Sequence, residues 1–199
     1  MDFTSPMRVV SGGLDGPVLA VLARADRPLT GREVARIAGQ SSHSGVRGAL
    51  HRLEAQGVVT AMPAGRAVIY QLNREHLAAP HILALAALPE ELSRRLRERV
   101  RAWDPQPVWA VLVGAVAQGT AGPDDPLELL VVRADELDRE DPAWRAQVDA
   151  LRRDLAAWTG NPVRLAEHAV DELEAGAAAE LVREALIDGV DLAGSPGAY

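Results

Sequence analysis

The stretch Ser41–Leu53, SSHSGVRGALHRL, decides how this chain is read. Ser42 is a good N-cap, and Val46, Leu50 and Leu53 recur at helical spacing, so a helix with one buried face is expected. His43, Ser44, Arg47, His51 and Arg52 are then left largely on the opposite face. An arginine near the N-terminal end of such a helix can bond guanine in a bidentate manner, and Ser or His can meet phosphates or base edges. A plain solvated face that happens to carry two arginines fits the same thirteen residues, and the flanking segments decide between the two.

Upstream, Leu14, Val18, Val21 and Leu22 form an apolar stripe, with Pro17 where a helix can begin and Asp26-Arg27-Pro28 to end it. Thr30 caps a second helix, with Glu33 three residues on as a capping box, and Val34, Ile37 and Ala38 are expected to point inward. Gly39 and the turn GQSS then lead into the quoted stretch. Two short helices about a Gly-containing turn give a helix-turn-helix. Downstream, Gly57 ends the helix, and residues 58–62 and 67–72 read as two strands joined by Pro63-Ala64-Gly65-Arg66. Arg66 at that tip can enter the minor groove or lie on phosphate; an ordinary exposed hairpin turn is the other reading. Residues 1–12 have no strong pattern and read as an arm or a short edge strand.

The block ALHRLEAQGVV, followed by a hairpin that ends in Tyr, resembles the winged helix-turn-helix transcription regulators of bacteria over about residues 14 to 73. The resemblance implies double-stranded DNA as partner, with Ser42, His43, Ser44, Arg47, His51, Arg52 and Arg66 as contact residues. It also implies a homodimer on two half-sites.

Composition narrows the remaining classes. With 199 residues, 48% of them apolar, the chain holds one large or two small globular domains. It has no Cys, which excludes disulfides, thiolate metal sites and Cys nucleophiles. It has no Lys either, so all 21 basic residues are Arg. No basic start precedes an apolar core and no apolar run reaches membrane-spanning length, so a cytoplasmic protein with no membrane partner is expected. Residues 1–80 hold nine Arg against six acids, a net +3, whereas residues 81–199 hold twelve Arg against 22 acids, a net −10. Such asymmetry points to two modules, the first tolerant of a polyanion and the second repelling one.

The expected organisation is α+β in three parts. Residues 1–75 form the winged helix-turn-helix, 76–104 a helical linker broken at Pro89, and 105–199 an α/β domain. In the linker, Leu92, Leu96, Val100 and Trp103 share a face, and Arg94, Arg95, Arg97, Arg99 and Arg101 surround it. A DNA stripe or a dimer seam fits that pattern. A connector whose arginines pair with Glu90, Glu91, Glu98 and the acidic second domain fits it better.

In the second domain, residues 108–113 and 127–132 read as strands, as does Val163–Ala166. Asp141-Pro142 starts an amphipathic helix with Trp144, Val148, Leu151, Leu155 and Trp158 on one face, and a further helix covers about 177–188. The stretch VLVGAVAQGTAGPDDPLELLVV, together with the ending DGVDLAG, resembles the minimal nucleotidyltransferase domain of the DNA polymerase β superfamily over about 108 to 194. That family carries Gly-Ser after a strand, then a small helix ending in Arg-Gly, then Asp-x-Asp on the next strand and a third carboxylate on a later one. Two carboxylates one residue apart on a strand share a face and can hold two Mg²⁺ ions around a transferred phosphorus.

The sequence departs from this pattern at most positions. Gly114 and Gly119 are kept, but the serine is Ala115, the arginine is Gln118, and the first carboxylate falls on Pro126. The second falls on Glu128 and the third on Arg164, and these two are expected to pair across adjacent strands. Asp124 and Asp125 would need a loop shift to reach the site. The expectation is therefore a non-enzyme with a degenerate nucleotide site, no cofactor and no metal. The five His residues show no metal-site spacing, and no P-loop, GxGxxG or GxSxG motif occurs.

The function expected from the whole chain is a sequence-specific DNA-binding transcriptional regulator. Its second module would sense a ligand, bind a small-molecule or protein effector, or form the dimer. Two alternatives are an active nucleotidyltransferase with a rebuilt metal site and an antitoxin-like autorepressor.

Overall fold

The computed structural model describes residues 1–39, 42–176 and 178–195. Gln40 and Ser41, the middle of the GQSS turn and the first residue of the quoted stretch, lie outside the described residues, as do Ala177 and residues 196–199. The chain is mixed α and β, with two separate sheets. It divides into two compact units, one of Asp2 and Thr4–Leu88 and the other of Met1, Phe3 and Pro89–Tyr199.

In the first unit, helix α1 (Asp15–Arg24) is followed by the short strand β1 (Leu29–Thr30) and helix α2 (Gly31–Ile37). Helix α3 (His43–Ala55) and the strands β2 (Val59–Ala64) and β3 (Ala67–Leu72) come next, then α4 (Ala79–Ala86). The three strands form an antiparallel sheet in the order β1-β3-β2. Thr30 and Glu33 build the reciprocal cap that starts α2: the Glu33 amide donates to Thr30 Oγ1 and the Thr30 amide to Glu33 Oε2. The Ser42 hydroxyl starts α3 by accepting from the Gly45 amide at 3.2 Å. Val46, Leu50 and Leu53 of α3 are buried with Val18 and Leu22 of α1, Val34 of α2, and Tyr70 and Leu72 of β3.

The hairpin is tighter than the sequence implies. Ala64 pairs with Ala67, so the turn is only Gly65-Arg66, with Gly65 at φ +63°. A two-residue turn with positive φ at its first position matches the twist of the flanking strands and takes Gly there without steric cost. Pro63, read as part of the turn, lies inside β2 opposite Val68. It is tolerated because β2 is an edge strand, where a missing N–H breaks no ladder.

Three expectations for this half are corrected. The first residues form neither an arm nor an edge strand: Pro6–Val9 is a 3-10 turn, and Met7 is buried in the first unit's core. Helix α1 begins at Asp15, ahead of Pro17. Ile37, expected inside, is 50% exposed at the last position of α2.

The segment 76–104, expected as a linker, falls on both sides of the division between units. Helix α4 belongs to the first, and helix α5 (Leu88–Arg101) almost wholly to the second. Leu92, Leu96, Val100 and Trp103 enter the second unit's core. Three of the five α5 arginines find carboxylates: Arg94 pairs with Glu91 and Glu98, Arg95 with Glu91, and Arg99 with Asp154 at 2.8 Å, while Arg97 donates to the Asp191 carbonyl.

The second unit continues with β4 (Trp109–Val113), the short helix α6 (Gly114–Ala117), β5 (Leu127–Arg133) and α7 (Pro142–Thr159). Then come β6 (Val163–Ala169), α8 (Val170–Glu174), α9 (Ala179–Asp188) and β7 (Val190–Gly194). The sheet order is β6-β5-β4-β7, with β5 and β6 parallel and the other pairs antiparallel. β4 is buried throughout because it is central and covered on both faces, which explains its unbroken apolar run. Helix α7 carries Trp144, Val148, Leu151 and Leu155 into one of those cores. Trp144 stacks edge-on to Trp103, with centroids 5.3 Å apart, and its indole N–H donates to the buried Glu167 carboxylate at 2.9 Å. β7 and α8 are elements the sequence reading did not contain. The stretch read only as a family-like ending is a full strand on β4.

Candidate functional site

Each unit presents one candidate. In the first, a groove of about 850 Å³ runs between α3 and the hairpin, with His43 and Arg47 from the helix and Arg66 from the turn on its sides. Arg32 of α2 completes the cationic lining, and Leu50 and Tyr70 form an apolar floor. Among the described residues no acid lines it. Among the described residues none of Arg32, Arg47 and Arg66 has a carboxylate partner. Many other arginines of this acid-rich chain do, among them Arg27, Arg52, Arg94, Arg95, Arg99 and Arg164. Three uncompensated guanidinium groups from three elements therefore face one concavity, which attracts a polyanion and desolvates no ion pair to meet it.

The remaining residues singled out on α3 are placed differently. Ser42 spends its hydroxyl on the helix cap, and Ser44 Oγ lies 3.3 Å from Ser42 Oγ. Arg47 Nε donates to His51 Nε2 at 3.4 Å, and the other ring nitrogen of His51 lies 3.6 Å from Glu54. Arg52, expected on the free face, is turned back: its Nη2 lies 2.6 Å from Asp15 of α1. The hydrogen bond to Asp15 raises the Arg52 pKa above its ordinary value, and the pair lies at the surface of the unit. Arg32 was missed by the sequence reading. Its position just inside the Thr30 cap gave no sign that it would share a groove with Arg47 and Arg66.

In the second unit the positions of the nucleotidyltransferase-like signature gather where β4 passes into α6. Gly114 adopts φ +73°, and a Cβ there would stand 2.5 Å from Glu128 Oε2, so the turn and the Glu128 carboxylate share one space. Glu128 faces Arg164 in the parallel register of β5 and β6, and its Oε1 lies 3.2 Å from Arg164 Nη1. The expected pairing is present. Ala115 lies in α6, and Gln118, just after it, donates to Asp188 at 3.3 Å. Gly119 closes α6 at φ +71°.

The loop before Pro126 is held by Asn161, which is buried and whose Nδ2 shares its two hydrogens among the carbonyls of Met1, Gly122, Pro123 and Asp125 at 3.0–3.2 Å. The Asp125 carboxylate is turned into its own loop, where it accepts from the Gly122 amide at 2.8 Å. Glu128 alone, with a guanidinium against it and a proline two residues before, does not fit a pair of divalent cations, which need several carboxylate oxygens in near-octahedral array. No cluster of three His, Asp or Glu suited to a metal occurs among the described residues. No described helix is long and apolar enough to cross a membrane.

No protein-family model and no curated protein matches the chain. Two of the solved structures similar to part of it are toxin–antitoxin proteins. One is a mutant of the toxin–antitoxin MntA–HpeT, 22% identical, with a TM-score of 0.38, covering 52% of this chain and 74% of that one. The other is a toxin–antitoxin with AMP-PNP, 21% identical, with the same TM-score and coverage. The expectation of a non-enzyme is not upheld: both of these structures are toxin–antitoxin proteins, one of them with AMP-PNP. The physical ground for that expectation was also too narrow, since losing one arrangement of metal ligands does not decide whether a nucleotide is handled.

Proposed function

We propose that the first unit is a winged helix-turn-helix that binds double-stranded DNA, and that the chain is a sequence-specific transcriptional regulator. The observation that carries this is the groove between α3 and the hairpin, where Arg32, Arg47 and Arg66 meet without an acid in the lining. In this reading α3 enters the major groove, with His43 and Arg47 at its leading end, and Arg66 reaches a phosphate or the minor groove. A homodimer on two half-sites follows if the site is palindromic.

The test is selection of genomic fragments by the purified chain, then anisotropy on the enriched sites across a salt series. The reading expects an enriched site bound at about 10⁻⁸ M or tighter, with affinity falling steeply as salt rises. Binding with no enriched sequence would sink it.

A second reading concerns the other unit, and one feature favours it. The order strand, glycine turn, short helix, loop, strand resembles the nucleotidyltransferase-like signature, and it brings Glu128 against Gly114. In this reading the second unit is a nucleotide-handling module that works with a protein partner, and the whole is an antitoxin-like autorepressor or a nucleotidyltransferase with a rebuilt site. Co-purification of a stoichiometric partner from a tagged chain, with radiolabel from ATP on that partner, would support it. Neither a partner nor label would remove it.

A further inference from the structure

Beyond both readings, a second cavity in the first unit has no assigned role. It is about 340 Å³ and lies beside α1 and the end of α2. Its lining mixes polar and apolar groups, the apolar ones including Ala20 and Val21 from α1 and Ile37 from α2. Ile37 is the residue whose spacing calls for burial yet which is half exposed here. Ser5, whose buried hydroxyl has no hydrogen-bond partner among the described residues, also lines it.

The rim carries the charge. Arg24 is anchored by one bond, Nη2 to the Ala86 carbonyl at 2.8 Å, and has no carboxylate partner among the described residues, so its remaining donors and its charge are uncompensated. Arg27, also on the rim, is neutralised by Glu33 at 2.7 Å. Asp26 lies on the same rim and disfavours a second negative charge.

We propose that this cavity binds a small monoanionic amphiphile, its apolar body against Ile37, Val21 and Ala20 and its carboxylate on Arg24. The volume is at the lower end of small-molecule pockets and holds about a dozen non-hydrogen atoms. The anion gains a charge-assisted hydrogen bond from a guanidinium already held in place, and Ile37 gains the apolar contact that α2 lacks. A dianion meets Asp26 and is rejected.

The test uses octanoate on the full chain. Isothermal titration is expected to show one octanoate bound per chain and no binding of succinate. Arg24→Gln and Ile37→Glu should each weaken octanoate binding about tenfold or more, and the loss of the bond to the Ala86 carbonyl should lower the melting temperature of Arg24→Gln slightly. Hydrogen exchange on the unmodified chain should show octanoate slowing the amides of residues 18–25 and 37–38, and this decides the matter even if a variant fails to fold. Protection elsewhere, protection nowhere, or octanoate binding indifferent to both substitutions overturns the proposal. So does protection of the same amides by rising chain concentration without octanoate, which would mean that a second copy covers the cavity. None of these outcomes depends on DNA binding.

Discussion

Arg164 stands directly beside Glu128 in the parallel register of β5 and β6, with Nη1 3.2 Å from Oε1. The contact joins two strands at the point where the sequence departs most from its family resemblance. Its energetic weight is small, because the Arg164 side chain is 73% exposed and solvent screens the pair.

Arg164→Ala should therefore change the unfolding free energy by less than about 1 kcal/mol. Arg164→Asp should do something different, since it places two carboxylates side by side on one face. We expect that variant to bind Mn²⁺ more tightly than the parent, as read by the loss of free Mn²⁺ paramagnetic resonance signal. Equal Mn²⁺ binding would show that the loop before Pro126, and not Arg164, excludes the cation.

Arg47 and Arg52 lie five residues apart on α3 and should behave oppositely. Arg47→Ala is expected to cost about 1–3 kcal/mol at a selected DNA site. Arg52→Ala should leave DNA affinity nearly unchanged, because Asp15 already holds that guanidinium at 2.6 Å. Anisotropy titrations of both variants on one duplex check the pair, and an equal loss for both would contradict the assignment.

Acid should weaken the first unit through Glu33. The Arg27 hydrogen bond, followed by those from the Thr30 amide and hydroxyl, lowers the Glu33 pKa from 4.5 to about 2. A carboxyl depressed in the folded state stabilises fully above its unfolded value, and that contribution fades as pH falls from 4.5 towards 2. Glu33→Gln keeps a capping-box residue but does not titrate. Its melting temperature should fall less steeply than the parent's over that interval, and parallel curves would dismiss the contribution.

Asn161 should matter more than its loop position implies. Asn161→Ala leaves the carbonyls of Gly122, Pro123 and Asp125 without their shared donor, at an expected cost of about 1–3 kcal/mol in urea unfolding. Faster amide exchange over residues 122–127 should accompany it. A stability loss without faster exchange there would place the damage elsewhere.

The sequence alone determined what depends on neighbours along the chain. The Thr30–Glu33 cap, the Ser42 cap, the apolar faces of α3 and α7 and the buried run of β4 all follow from local spacing, and each is present. The Glu128–Arg164 pairing was also legible, because a family-like strand order puts those residues in adjacent strands.

Tertiary structure decided what depends on which surfaces meet. Nothing local to Arg52 says that Asp15, 37 residues away, will take its charge, and nothing local to Arg32 says that it will share a groove with Arg66. Ile37 follows the helical period yet is half exposed, because burial needs a covering element as well as a face. β7 escaped notice for a related reason: DGVDLAG has few apolar residues, and its place as a strand comes from pairing with β4. Spacing fixes the face a side chain takes on its own element. Only the assembled fold fixes what that face meets, and so which cations of this chain remain free to act.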